Sequence, residues 1–110
     1  MTYEELKKVL ATDLHGVFRI EIEFSIKEDP LYRRCTLGKI PYCDGELYWC
    51  RVNNEEISAF NFRDFHSLST FPIANMQTLE ELWDRIEIHS IDGFPPQQRL
   101  PAYLNELISL

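Results

Sequence analysis

The chain has 110 residues, 45% of them hydrophobic and 26% charged, with 18 Asp and Glu against 11 Lys and Arg for a formal charge of -7. These proportions describe one ordinary globular domain and exclude a fibre or a disordered tail. The acidic balance argues against nonspecific duplex binding, which needs cations to neutralise phosphates, and no apolar run approaches the roughly 20 residues of a membrane span.

The first expected element is a helix. Thr2 and Glu5 have capping-box spacing, Leu6, Val9 and Leu10 fall on one side, and Gly16 bounds the segment. Glu4, Glu5, Lys7 and Lys8 lie on the same pattern, so this start is unlike a secretory signal.

Residues 17–27 carry the strictest periodicity: Phe18, Ile20, Ile22, Phe24 and Ile26 alternate with Arg19, Glu21, Glu23, Ser25 and Lys27. A period of two over ten residues predicts a strand with one dry and one wet face, which suits an antiparallel sheet. Lys27-Glu28-Asp29-Pro30 reads as a turn. A second strand follows from Leu31 to Leu37, where Arg33 or Arg34 is expected to pair with Glu21 or Glu23. Such a cross-strand pair contributes up to ~1 kcal/mol.

Gly38 to Gly45 reads as a loop ending in the turn dipeptide Asp44-Gly45. Glu46 to Val52 is rich in strand formers with apolar residues on both faces. Such a strand is covered on both sides or shows an aromatic to a partner. After a turn at Asn53-Asn54, a fourth strand is expected from Glu55 to Phe62.

Phe62, Phe65 and Leu68 then have helical spacing, broken at Phe71-Pro72-Ile73. Thr78-Leu79-Glu80-Glu81 repeats the capping box, and Leu79, Leu82, Trp83 and Ile86 form one stripe, so a helix is expected over Leu79 to Arg85. Ile86 to Ile91 reads as a strand, with Ile86, Ile88 and Ser90 on one face and Glu87, His89 and Ile91 on the other. Asp92-Gly93 is a turn and Pro95-Pro96 stops regular structure. A last helix is expected over Pro101 to Ser109, with Leu104, Leu107 and Ile108 as its stripe. The order predicts a single α+β domain over residues 1–110: a mostly antiparallel sheet of four to five strands with helices packed on one face.

Three cysteines (Cys35, Cys43 and Cys50) make an odd count without a C-x-x-C pair, and the histidines are scattered. That pattern predicts free thiols in a reducing cytoplasm and implies no metal and no cofactor. No dinucleotide fingerprint, phosphate-binding loop, zinc-protease helix or serine-hydrolase elbow occurs. One enzymatic reading survives: Cys43 beside Asp44, with His66 or His89, in a pocket between sheet and helices. Asp92 and Asp44 are the best-ordered candidate acids, although turn formation accounts for both.

Two stretches suggest a contact surface instead. Residues 56–110 hold eight of the acids and only three of the bases, and Glu80, Glu81, Asp84 and Glu87 lie close together along the chain. They form either a solvated face or a docking surface for a basic partner. Tyr42, Tyr48 and Trp49 cluster at a loop and the strand after it, and such rings are common binding anchors. Leu79-Glu80-Glu81-Leu82-Trp83-Asp84 with Ser90-Ile91-Asp92-Gly93 resembles the tail of small bacterial and phage-borne proteins of uncharacterised role. That resemblance implies an accessory protein and brings no activity or site with it.

The resulting expectation is a non-enzymatic module that binds another protein, in an inhibitory, immunity or regulatory role. Nucleic acid and membranes are not expected partners. Self-association through an open strand edge and a small enzyme or ligand-binding domain are the alternatives.

Overall fold

The computed structural model describes residues 1–12, 19–43, 45–52 and 59–104. The alternation around Ile22 organises the fold. Strand β1 (Ile20–Ile26) buries Ile20, Ile22, Phe24 and Ile26 and turns Glu21, Glu23 and Ser25 the other way. It joins β2 (Cys35–Tyr42), β3 (Gly45–Arg51), β4 (Phe60–Phe62) and β5 (Ile86–Ile91) in an antiparallel sheet of order β4-β3-β2-β1-β5. Phe18, the first apolar residue of the alternation, lies outside the described residues.

Four helices are described: α1 (Tyr3–Leu10), α2 (Phe65–Thr70), α3 (Leu79–Leu82) and α4 (Pro96–Leu104). Both expected capping boxes form. The Thr2 hydroxyl accepts from Glu5 N–H and the Glu5 carboxylate accepts from Thr2 N–H; Thr78 and Glu81 repeat the exchange. Leu6, Val9 and Leu10 of α1, Leu68 of α2, and Leu79 and Leu82 of α3 share one core with the inward residues of β1. Each side chain so buried contributes roughly 1.5–3 kcal/mol. Leu100 and Tyr103 of α4 pack against its margin. The fold is therefore α+β with helices on one face, and no described helix covers the other.

Several segments differ from the sequence reading or lie partly outside the described residues. First, β2 begins at Cys35, because Pro30 fixes its own φ and starts a 3-10 turn (Pro30–Tyr32) capped by the Asp29 carboxylate. The stretch expected as a loop is strand through Tyr42. Lys39, within that stretch, is fully buried on the helix-covered face; its Nζ lies 3.0 Å from Glu46 Oε1 and 5.5 Å from the Tyr48 ring centroid. Pro41 is tolerated because, among the described residues, it has a strand partner only in β3. Tyr42 pairs with Gly45 across a tight hairpin, and Cys43 takes the positive φ of 53° that such hairpins require. Asp44 lies outside the described residues.

Second, β4 is described only from Phe60; residues 53–58, including the expected turn and the start of that strand, lie outside the description. Third, β5 contains a bulge. Phe24 pairs with Ile88 and Glu23 with Ser90, which leaves His89 as the extra residue. The insertion corrects the expected faces: Ile91 turns inward opposite Ile22 and is fully buried, while Ser90 joins the Glu23 side. Fourth, α4 starts at Pro96, where a proline needs no N–H partner, and the Pro95 carbonyl accepts from Gln98 and Arg99 N–H, both at 3.0 Å. Pro101 sits inside this helix, and Leu107 and Ile108 of the expected stripe lie outside the described residues. The helix expected over Leu79 to Arg85 is α-helical to Leu82 and finishes as a 3-10 turn (Trp83–Arg85).

Candidate functional site

The sheet face that no described helix covers, here the bare face, is built by strand register. One row across it carries Glu23, Thr36 and Arg51; the next carries Glu21, Gly38, Trp49 and Asn61. Gly38 has no side chain, and the indole of Trp49 fills the space above it. A Cβ at position 38 would fall 2.6 Å from Trp49 Cη2 and 1.9 Å from the Ile20 carbonyl oxygen. The ring is thus laid across the sheet as a half-buried platform.

Four arginines share a groove with that platform. Arg19 precedes β1, Arg33 and Arg34 lead into β2, and Arg51 ends β3. With Trp49 they line a groove of about 490 Å³, within the size range of binding sites. Its charged lining is these four arginines with Glu21 and Glu23, a local balance of +2 on a chain of -7. Arg19 Nη2 lies 3.5 Å from Glu21 Oε2. Among the described residues Arg33, Arg34 and Arg51 make no ion pair. The pairing expected for Arg33 or Arg34 is absent because β2 starts later than the sequence suggested, which puts Thr36 opposite Glu23. The Arg51 Nε is buried and has no hydrogen-bond partner among the described residues. An orphaned buried donor of this kind costs roughly 1–3 kcal/mol.

A second groove of about 620 Å³ continues from the first and shares Arg33 and His89 with it. Lys27, Glu28, Asp29 and Glu87 also line it, so acids outnumber bases there. At the junction His89 Nε2 lies 2.7 Å from Ser25 Oγ. Its Nδ1 lies 3.8 Å from Glu87 Oε1, beyond hydrogen-bond range. The Glu87 carboxylate therefore does not fix the imidazole as a nucleophilic triad requires. The Ser25–His89 bond ties β1 to β5.

The residues singled out from the sequence distribute as follows. Trp49 faces the bare side, whereas Tyr48 faces the helices, its hydroxyl 3.4 Å from the Leu10 carbonyl oxygen. Tyr42 is exposed near the hairpin tip. The three rings do not form one patch. Glu80 and Asp84 are exposed on the helical layer, Glu81 is committed to the cap of α3, and Glu87 lies on the opposite side of the sheet. Cys43 sits at the hairpin tip, His66 on α2 and His89 at the grooves; neither groove is lined by Cys43 or His66. Burial pushes the Cys35 thiol up to about 12 and raises the Cys50 thiol as well, so both are poor nucleophiles.

Asp92 is a structural hub. Its Oδ1 accepts from Glu21 N–H at 2.9 Å, and its Oδ2 accepts from Arg99 Nε at 3.0 Å and from the Tyr103 hydroxyl. The carboxylate thereby locks β1, the end of β5 and α4 together. Among the described residues no group of three or more His, Cys, Asp or Glu could hold a metal ion. No described helix is long and apolar enough to cross a membrane.

No family model, curated protein or solved structure matches this chain. The arginine groove escaped sequence reasoning because its cations lie between positions 19 and 51 and meet only through the β1-β2-β3 register. One part was visible: the alternation already placed Arg19, Glu21 and Glu23 on the wet face.

Proposed function

We propose that this chain is a protein-interaction module that holds a segment of another protein on the bare face of its sheet. The observation that supports this reading best is the convergence in one groove of Trp49 and three arginines that make no ion pair among the described residues, with no described helix above it. Trp and Arg are the residue types that most often carry binding energy, because a flat ring and a planar guanidinium lose little freedom on contact. Inhibitory, immunity and regulatory roles all operate through such a surface. Three free thiols, one of them exposed at Cys43, suit the reducing cytoplasm. The acidic residues Glu80, Glu81 and Asp84 offer a weaker second surface, since Glu81 is already spent on a helix cap.

Selection of a random peptide library against the protein tests this reading. Enriched peptides should bind the Trp49→Ala, Arg51→Ala variant about 30-fold more weakly, the loss typical of a hot spot, and should bind Lys8→Gln, exposed on α1, as well as they bind the parent. A selection that yields no binder, or binders indifferent to Trp49 and Arg51, contradicts the assignment.

A further inference from the structure

Resting on the bare-face reading, we infer that the segment bound there is an acidic peptide whose Asp or Glu carboxylates pair with Arg33, Arg34 and Arg51 while an apolar neighbour lies on Trp49. Three observations carry this. The first groove is cationic although the chain as a whole is strongly anionic, so the local field selects an anion. The side chain of Arg51 lines the groove half-exposed and makes no ion pair among the described residues, and a planar carboxylate is the group that a guanidinium fork holds best. Arg33 and Arg34 are exposed, make no ion pair among the described residues, and line the same groove.

Charge pattern separates an acidic peptide from a nucleic acid. The cationic groove includes Glu21 and Glu23, and it runs into a second groove bearing Glu28, Asp29 and Glu87. A strand with a phosphate at every step would press charge against these carboxylates. A peptide changes sign along its length: acidic side chains can meet the arginines, while backbone N–H groups or a basic residue meet the glutamates. Five strands span roughly 19 Å, a distance that about six extended residues cover. The site thus suits a short segment and not a whole domain.

The test uses a synthetic hexapeptide of alternating Glu and Leu, its Gln–Leu counterpart, and oligothymidylate of similar length, each titrated into the full chain by calorimetry and by amide NMR shifts. The Glu–Leu peptide should shift amides of β2 and β3 and bind at least about tenfold more tightly than the Gln–Leu peptide, with affinity falling as salt rises. Arg33→Gln, Arg34→Gln should weaken it about tenfold; both positions are exposed, so folding is preserved, as thermal unfolding would verify. Equal binding of the Gln–Leu peptide, or tighter binding of oligothymidylate, overturns the acidic-peptide inference. If the Gln–Leu peptide still binds in a Trp49-dependent way, the bare-face reading stands without it. If no peptide shifts the bare-face amides, both fall.

Discussion

Replacing Gly38 by alanine should lower the free energy of unfolding by about 3 kcal/mol, the upper part of the range for forced overpacking. The added methyl would stand 1.9 Å from the Ile20 carbonyl oxygen and 2.6 Å from Trp49 Cη2. The indole can swing aside, but the carbonyl belongs to the first residue of β1 and moves only if β1 and β2 part. Removing the ring should therefore fail to rescue the substitution: Gly38→Ala in a Trp49→Ala background should remain destabilised. Urea unfolding followed by circular dichroism reads this as a lower midpoint at unchanged slope. A loss below about 0.5 kcal/mol, the size of an ordinary surface substitution, would mean that the strands are not this close.

Asp92→Ala should cost about 3 kcal/mol, because it orphans a backbone N–H and a phenol and breaks an ion pair at once. Glu21 N–H, Arg99 and the Tyr103 hydroxyl all lose their acceptor, and position 92 keeps a φ of 54° that a plain methyl side chain tolerates poorly. Asp92→Asn preserves an oxygen toward Glu21 and a residue type suited to that φ, so its cost should be nearer 1 kcal/mol. The same cluster sets an alkaline limit. Burial and the neighbouring Asp92 carboxylate push the Tyr103 hydroxyl up to about 12 from its ordinary 10.0. The folded state holds this proton more tightly than the unfolded chain does. Its contribution is complete below pH 10 and disappears as pH climbs towards 12, and Tyr103→Phe should remove that part of the pH dependence. An unfolding profile unchanged by Asp92→Ala would contradict the hub.

Much of the layer structure could be read from local pattern. The Ile20-to-Ile26 alternation, the two Thr-to-Glu capping boxes and the Phe65 and Leu68 part of the expected helical spacing each report a period or an end signal that neighbouring residues enforce, and each appears in the fold; Phe62, expected on that same spacing, instead ends β4. Two of the misreadings share a cause: long-range pairing outvoted local chemistry. Lys39 and Pro41 are poor strand residues, yet β3 pairs across both, and the lysine is accommodated by Glu46 and Tyr48. One extra residue at His89 reversed the faces of Ser90 and Ile91, which no periodicity argument can foresee. The site was harder still. Trp49 could be singled out as an aromatic, but its partners Arg33, Arg34 and Arg51 are unremarkable until the sheet sets them around it.

Selective quenching of Trp49 fluorescence tests the central claim most directly. The chain has two tryptophans, and Trp83 sits on the helical side with its Nε1 donating to the Met1 carbonyl at 3.1 Å. In the Trp83→Phe variant, the ratio of iodide to caesium quenching of Trp49 should be at least about twofold that of a free, uncharged tryptophan amide at low ionic strength, despite the net charge of -7, because the arginines of the groove draw anions to it. Trp49 shielded from both ions, or a ratio no higher than that of the free amide, would contradict a bare cationic face.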